Sequence, residues 1–368
     1  MRVILSGGGT GGHIYPALAL AKVIKQHDPE AEFLYVGSYR GVESNIVPKT
    51  GLPFKQLNVQ GFKRSLSLDN FKTVWLFERA VSQSKKIIKD FKPDVVVGTG
   101  GYVSGAVLYA AEKMKIPTVV HEQNSVPGIT NRFLARKVTK IGVAFQMAAD
   151  QFPAGKTRLV GNPRAQEVAG LKSDFSWQQY DLSDQVPTLL IFGGSQGAPA
   201  INMAVIEALP EFNQRDYQIV VVAGPKRLAS FETVMQERHL TPAKNVKILP
   251  YIDNMPAVLA KTAAIVARAG ATSIAEITTL GIPSILVPSP YVTGDHQRKN
   301  AQSLVQAGAA KMILETEFNG QHLLEAADEI MQDQQLRETM AQKAEAIATP
   351  DAGDQLYQLL LDAIAERK

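Results

Sequence analysis

The sequence predicts an α/β chain of two Rossmann-like, doubly wound parallel-sheet domains facing a central cleft. Three observations predict it. Apolar strand-like runs alternate with helical patterns along the chain. Each half opens with a strand that runs into a glycine-rich loop and a helix, first through Gly7, Gly8, Gly9, Gly11 and Gly12 and again through Gly193, Gly194 and Gly197. The 368 residues suffice for two domains of ordinary size, each with its own core.

The first series begins with the strand Val3-Ile4-Leu5 and a helix carrying Pro16 in its first turn and the run Ala17, Leu18, Leu20, Ala21 and Ile24. Strands are expected next at residues 33–36, 94–99, 118–121, 141–145 and 158–161. The second series is expected at residues 188–192, 219–223, 246–249, 264–267 and 284–287. This sets an N-terminal domain at residues 1–163 and a C-terminal domain at 164–349, linked near Gly161-Asn162-Pro163 and the polar stretch 172–186. Amphipathic helices at 321–348 and 354–365 close the chain with Pro350 between them, and the last, about 350–368, is expected to pack back on the first domain.

Composition narrows the function classes. No apolar run approaches the roughly 20 residues of a membrane-spanning helix, and the N-terminus enters a strand without a signal-peptide pattern, so a cytoplasmic protein is expected. The absence of cysteine excludes disulfides, thiolate catalysis and Cys-based zinc sites. The net charge of +4 hides an asymmetry: residues 1–163 carry 22 Lys+Arg against 11 Asp+Glu, the remainder 17 against 24. The first half is therefore suited to an anionic partner, a membrane surface, a polyphosphate or nucleic acid, or else has a solvated basic face.

A glycine loop between strand and helix aims backbone N–H groups and a positive helix end at one spot, where a phosphate can sit. Gly7-x-Gly9-x-x-Gly12 fits the dinucleotide pattern, yet the next strand ends in Gly37-Ser38 where that pattern requires an acid. Gly7-x-x-x-x-Gly12 also begins a Walker A loop, but His13 occupies the lysine position. Neither a nicotinamide enzyme nor a P-loop ATPase is supported.

Further polar motifs fall at expected strand ends, where open α/β sheets bind ligands: Gly98-Thr99-Gly100-Gly101-Tyr102, His121-Glu122-Gln123-Asn124, Gly161-Asn162-Pro163-Arg164, residues 268–276, and Asp295-His296-Gln297-Arg298-Lys299-Asn300. Residues 268–276 read as strand, turn and helix start with Thr272 or Ser273 as the cap. Two roles for Glu276 stay open, accepting from a ribose diol or closing a capping box.

Taken together, Gly8-Gly9-Thr10-Gly11-Gly12-His13, residues 98–104, His121-Glu122-Gln123-Asn124, Gly193-Gly194-Ser195-Gln196-Gly197 and residues 268–276 resemble the MurG family of peptidoglycan N-acetylglucosaminyltransferases, in order and over nearly the whole chain. The resemblance implies a GT-B fold, a C-terminal UDP-GlcNAc-binding domain, and transfer of GlcNAc to lipid I, the undecaprenyl-pyrophosphoryl-MurNAc-pentapeptide, to form lipid II. It implies no cofactor and no nucleic-acid partner.

Carried over by position, it puts donor contacts on Thr10, Gly11, Gly12, Asn124 and Ser195, uracil on Ile252, the diphosphate on Ala271 and Thr272, the ribose on Glu276 and GlcNAc on Gln297. Arg164 and Arg268 join the donor set, although Arg164 follows Pro163 directly where some relatives have Gly-Asn-Pro-x-Arg, and Ala269 stands where some have serine. Gly100, Gly101 and Tyr102 are the expected acceptor contacts.

Glycosyl transfer builds negative charge on departing UDP as the anomeric carbon becomes oxocarbenium-like. No Asp-x-Asp occurs to hold a metal, so the helix start at residues 271–273, with Arg268 or Arg164, is expected to stabilise that charge. His13 is the candidate base for the acceptor hydroxyl, with a loop-orienting or phosphate-binding role as its alternative and with His121 and Glu122 as runners-up.

Leu66, Leu68, Phe71, Val74, Trp75, Leu76 and Phe77 lie among Lys63, Arg64, Lys72, Arg79, Lys85 and Lys86. That mixture suits a patch resting on the anionic inner face of a membrane, or a helix packed into the core. A UDP-GlcNAc 2-epimerase on the same fold is the alternative enzyme, and it needs no lipid-facing patch.

Overall fold

The structure, a computed structural model, describes residues 1–61, 69–194 and 197–366, with residues 69–71 described by backbone alone. It divides into two units, Met1–Glu167 with Thr349–Lys368, and Val168–Ala348.

The first unit runs β1 (Arg2–Gly7), α1 (Gly11–His27), β2 (Glu32–Ser38), α2 (Glu43–Ile46), β3 (Phe54–Leu57), α3 (Asp69–Phe91), β4 (Val95–Gly100) and α4 (Tyr102–Lys113). It continues through β5 (Thr118–Glu122), α5 (Ile129–Leu134), β6 (Lys140–Val143), α6 (Gln146–Ala149) and β7 (Thr157–Leu159), and the chain leaves it within α7 (Arg164–Ala169). Its sheet is wholly parallel in the order β3-β2-β1-β4-β5-β6-β7.

Successive residues of a strand face opposite sides, so Val3 and Leu5 join one apolar cluster with Ile14 and Leu20 of α1 while Ile4 joins another with Val103 and Leu108 of α4. Such two-sided burial is why these strands read as unbroken apolar runs.

The second unit contains β8 (Thr188–Phe192), α8 (Pro199–Phe212), β9 (Gln218–Val222), α9 (Leu228–Glu237), β10 (Val246–Leu249), α10 (Met255–Leu259) and β11 (Ala264–Ala267). There follow α11 (Ala271–Thr279), β12 (Ser284–Leu286), α12 (His296–Ala307), β13 (Ala310–Met312), α13 (Gly320–Met331) and α14 (Gln334–Ala346). The sheet is again parallel, in the order β10-β9-β8-β11-β12-β13. The chain then returns as α15 (Ala352–Ala365), whose Leu356, Leu359 and Leu360 are buried against Val3 and Leu5 of the first unit. Each such leucine contributes on the order of 2 kcal/mol of burial.

Three local expectations need correction. The stretch 321–348 is two helices, because the Asp333 side chain accepts from the Leu336 N–H at 2.9 Å and caps a new helix. Strands β3 and β13 escaped the sequence reading; each lies at a sheet edge, and β3 exposes Lys55 and Gln56, so its neighbour rather than its composition makes it a strand. Residues 172–186 dock on the second unit, with Trp177 buried and its indole N–H donating to the Lys261 carbonyl at 2.9 Å.

Both strand orders reverse direction of progression at one point, between β1 and β4 in the first unit and between β8 and β11 in the second. Neighbouring loops diverge there and leave a crevice at the carboxyl ends of the strands. The segments after β1, β4 and β8 are the glycine-rich ones singled out above, and the turn after β11 opens the polar motif at residues 268–276.

Candidate active site

In the first unit the loops after β1 and β4 pack backbone to backbone. The Gly8 N–H donates to the Gly100 carbonyl at 3.2 Å, and a Cβ at Gly101 would lie 2.5 Å from the Gly8 oxygen. Gly101 also has φ +85°, so close approach and backbone conformation both demand glycine there. The Tyr35 hydroxyl, kept protonated by burial and by nearby Glu43, donates to the Gly7 carbonyl at 2.9 Å. The Thr99 hydroxyl donates to the His13 carbonyl at 2.6 Å.

These contacts hold His13, in the first turn of α1, over Gly100: a Cβ at Gly100 would lie 2.8 Å from His13 Nε2. His13 Nδ1 is 2.8 Å from the Gly8 carbonyl oxygen. A carbonyl only accepts, so Nδ1 carries the proton and Nε2 of the neutral ring holds the lone pair that a base needs. Thr10 precedes α1 in extended conformation, and Gly11 and Gly12 supply N–H groups of its open first turn. Tyr102 heads α4, where its ring packs on Gly61.

The two runners-up for the base are corrected. His121 is fully buried, with Nε2 2.8 Å from the Gly161 carbonyl and Nδ1 3.0 Å from the Gln123 amide nitrogen. Burial holds its pKa below the usual range, and both ring nitrogens are occupied. Glu122 is also buried: one oxygen accepts from the Asn124 N–H at 3.0 Å and the Asn124 amide at 3.3 Å, the other from the Gly128 N–H at 2.9 Å and the Asn131 amide at 2.8 Å. With all four bonds internal, Glu122 organises the loop that carries Asn124.

Arg164 lies in the first unit, ion-paired with Glu167, its guanidinium 5.7 Å from the centre of the Tyr15 ring. Burial would raise the Glu167 carboxyl, but Lys22 and Arg164 outweigh it and hold the group below the usual range.

In the second unit the loop after β8 bends through Gly194 and Gly197, both at positive φ, and enters α8 at Pro199. Ser195 lies outside the described residues. After β11, Gly270 is the N-cap of α11 with no side-chain cap bond, which corrects the expected cap at Thr272 or Ser273 and with it the capping-box role of Glu276. Ala271 is the first helical residue, and Thr272 and Glu276, four apart, share one face. The Thr272 hydroxyl oxygen is buried without a hydrogen-bond partner, and Glu276 is buried one turn on. An orphaned hydroxyl beside open helix-start N–H groups suits an anionic ligand.

Arg268 donates to the Val287 carbonyl at 3.0 Å and is ion-paired with Glu315, so its charge is already matched inside the unit. The buried Asn300 amide donates to the Ala269 carbonyl at 3.2 Å and fixes the turn before α11. Gln297, near the start of α12, accepts the Ser289 N–H at 2.9 Å, and Ile252 is buried in the segment after β10.

The apolar run on α3 splits. Trp75 is 57% exposed and Val74 50%, whereas Leu76 is buried and Phe77 packs edge-on to Phe133 with ring centres 6.2 Å apart. The Arg79 guanidinium lies 5.4 Å from the Trp75 ring centre, and Phe133 itself is 48% exposed. Lys63, Arg64, Leu66 and Leu68, and the side chain of Phe71, lie outside the described residues.

Sequence reasoning missed Glu43 and Tyr35, and named Thr99 only as part of a motif, without its role; all three shape the first loop. Glu43 is an ordinary acid in a polar segment, and only the glycines at 37 and 41 hinted at a crowded site.

Two models of one protein family match the chain in succession. Residues 3–143 match the glycosyltransferase family 28 N-terminal domain and residues 188–356 its C-terminal domain. The chain is 68% identical, over 368 residues and 100% of both chains, to a Leuconostoc citreum protein named UDP-N-acetylglucosamine–N-acetylmuramyl-(pentapeptide) pyrophosphoryl-undecaprenol N-acetylglucosamine transferase. It is 58% identical, over 100% of both chains, to the protein of that name from Limosilactobacillus reuteri. A crystal structure of Acinetobacter baumannii MurG superposes with TM-score 0.77 at 29% identity over 98% of this chain and 99% of that one. A putative UDP-N-acetylglucosamine 2-epimerase from Listeria monocytogenes superposes at 0.73 over 99% of this chain and 97% of that one, but at 15% identity this shows a shared fold alone.

Proposed function

The chain belongs to glycosyltransferase family 28, and from that premise we propose that it transfers GlcNAc from UDP-GlcNAc to lipid I, with inversion, to form lipid II in peptidoglycan synthesis. The observation that carries this reading is the 68% identity to the L. citreum transferase over the whole of both chains.

The residues support a single displacement. His13 Nε2 takes the proton of the acceptor hydroxyl, whose oxygen forms the new bond to the anomeric carbon. The bond from that carbon to the diphosphate breaks, and UDP leaves with the electron pair. The N–H groups at the start of α11 and the Thr272 hydroxyl meet the growing charge on the diphosphate, in place of a metal. Glu276 accepts from the ribose, Ile252 borders the uracil and Gln297 the GlcNAc. Thr10, Gly11, Gly12, Asn124 and Ser195 complete the donor contacts, and Arg268 and Arg164 act as members of their ion pairs. Gly100, Gly101 and Tyr102 receive the acceptor's pyrophosphate.

No helix of the described residues is long and apolar enough to cross a membrane. The lipid acceptor is reached instead from the cytoplasmic face: exposed Trp75, Val74 and Phe133, with Lys72, Arg79, Lys85 and Lys86, rest on an anionic bilayer surface.

The test is incubation with UDP-GlcNAc and a short-chain lipid I analogue. Disaccharide product is expected; UDP-ManNAc in its place would make the chain an epimerase, and the absence of both products would overturn the catalytic reading.

A further inference from the structure

Glu43 opens α2 and is wholly buried, yet the reaction as described makes no use of it. Its Oε1 accepts from the Ser38 N–H at 2.8 Å and the Ser38 hydroxyl at 2.6 Å, and its Oε2 accepts from the Gly9 N–H at 2.9 Å. A Cβ added at Gly8, Gly37 or Gly41 would fall 2.2, 2.7 or 2.1 Å from Glu43 side-chain atoms, so three glycines make room for this one carboxyl. Burying an acid in this way is costly unless its charge is matched by well-placed donors.

The Gly9 N–H and the Gly8 carbonyl belong to one planar peptide group. That carbonyl oxygen is the one that His13 Nδ1 approaches at 2.8 Å. Carboxylate, peptide and imidazole thus form one line: Glu43 Oε2 to Gly9 N–H, Gly8 carbonyl to His13 Nδ1–H.

We propose that Glu43 is a positioning residue for His13, acting through the Gly8–Gly9 peptide. The inference rests on the reading of His13 as the base. A carboxylate at the N–H end of a peptide polarises it and strengthens its carbonyl as an acceptor. The stronger acceptor holds the Nδ1–H tautomer, aims Nε2, and stabilises the imidazolium that forms when the acceptor proton arrives. The carboxylate of a Ser-His-Asp triad does this by direct contact with the ring; here one peptide group stands between them.

Among the described residues, the other titratable groups that these elements turn toward the loop are Tyr35 on β2, which donates to the Gly7 carbonyl, and Tyr15 on α1, whose ring faces Gly11 and carries Arg164 against it, while Tyr102 heads α4. Among the described residues, Glu43 is the carboxyl hydrogen-bonded to this loop.

Glu43→Gln tests the link, because it keeps the shape while removing the charge and setting an amide NH2 against one of the existing donors. The expected result is a kcat lower by roughly tenfold or more, a donor KM changed less than twofold, and an acidic limb of the kcat/KM profile moved to lower pH, since the imidazole loses its stabilising charge. An unchanged kcat overturns the proposal. So does a lowered kcat with the limb unmoved, which would make Glu43 a mere tie for the loop.

A measurement on the unmodified chain is independent of how the variant folds and of the reaction assigned. Nitrogen-15 NMR of the His13 ring is expected to show the Nδ1–H tautomer, with the Gly9 amide protected from hydrogen exchange; an Nε2–H tautomer or a rapidly exchanging Gly9 amide overturns the link. If the unmodified chain makes no disaccharide, the functional reading fails while these two signals still decide the link.

Discussion

His13 Nδ1 and the Gly8 carbonyl oxygen, 2.8 Å apart, join the two ends of the first glycine loop across its own turn. The bond closes the loop around its histidine, and the lone pair on Nε2 follows from it. His13→Gln is therefore expected to lower kcat by about 10²- to 10⁴-fold, the usual contribution of a positioned base, with little change in donor KM or melting temperature. A kcat within threefold of the parent would remove His13 from the base role.

Glu122 has four internal hydrogen bonds and no bond left for substrate. Glu122→Ala is expected to cost about 2–4 kcal/mol of stability, because donors on Asn124, Gly128 and the buried Asn131 lose their acceptor together. Chemical denaturation checks this; a cost under about 0.5 kcal/mol, the range of ordinary surface changes, would contradict it.

Activity is expected to survive excess chelator, since the sequence has no Asp-x-Asp and the start of α11 offers N–H groups and the Thr272 hydroxyl to the leaving diphosphate. Complete loss of turnover that magnesium restores would refute the metal-free mechanism.

Trp75 and Phe77, two residues apart on α3, are expected to respond differently. Trp75→Ser should weaken binding to anionic liposomes severalfold while leaving the melting temperature unchanged, because the ring is more than half exposed. Phe77→Ser should lower the melting temperature, because its ring packs against Tyr109 and Phe133. Unchanged liposome binding in Trp75→Ser would move the membrane face elsewhere.

Glu167 makes stability depend on pH in a definite direction. Its folded-state pKa is depressed by Lys22 and Arg164, so its contribution is present above the ordinary glutamate value of 4.5 and is lost as pH falls through the lower folded value. Glu167→Gln should therefore be less stable than the parent near neutral pH, with the difference shrinking below pH 4.5. A pH-independent difference would show that the ion pairs contribute nothing.

Much of the fold was legible because buried parallel strands are apolar on both faces and interrupt helical periodicity. Runs such as Val95-Val96-Val97 and Thr188-Leu189-Leu190-Ile191-Phe192 can hardly be read otherwise. Strands β3 and β13 were not legible, because edge strands have one exposed side and take their conformation from a neighbour. The break at Asp333 was hidden because one capping side chain does not interrupt an amphipathic pattern.

The sequence by itself determined the two sheets and the glycine loops at their strand ends, since apolar periodicity and glycine spacing are local properties written in order along the chain; the family came from the resemblance of its ordered motifs. Only the tertiary structure decided what each polar group does. The sequence ranks His121 behind His13 as a base without excluding it, but folding buries His121 with both nitrogens bonded and leaves His13 with Nε2 beside Gly100. Glu43 meets the Gly9 N–H across 34 positions of sequence. Hydrogen bonds of that span depend on strand order and loop packing, and no local pattern encodes them.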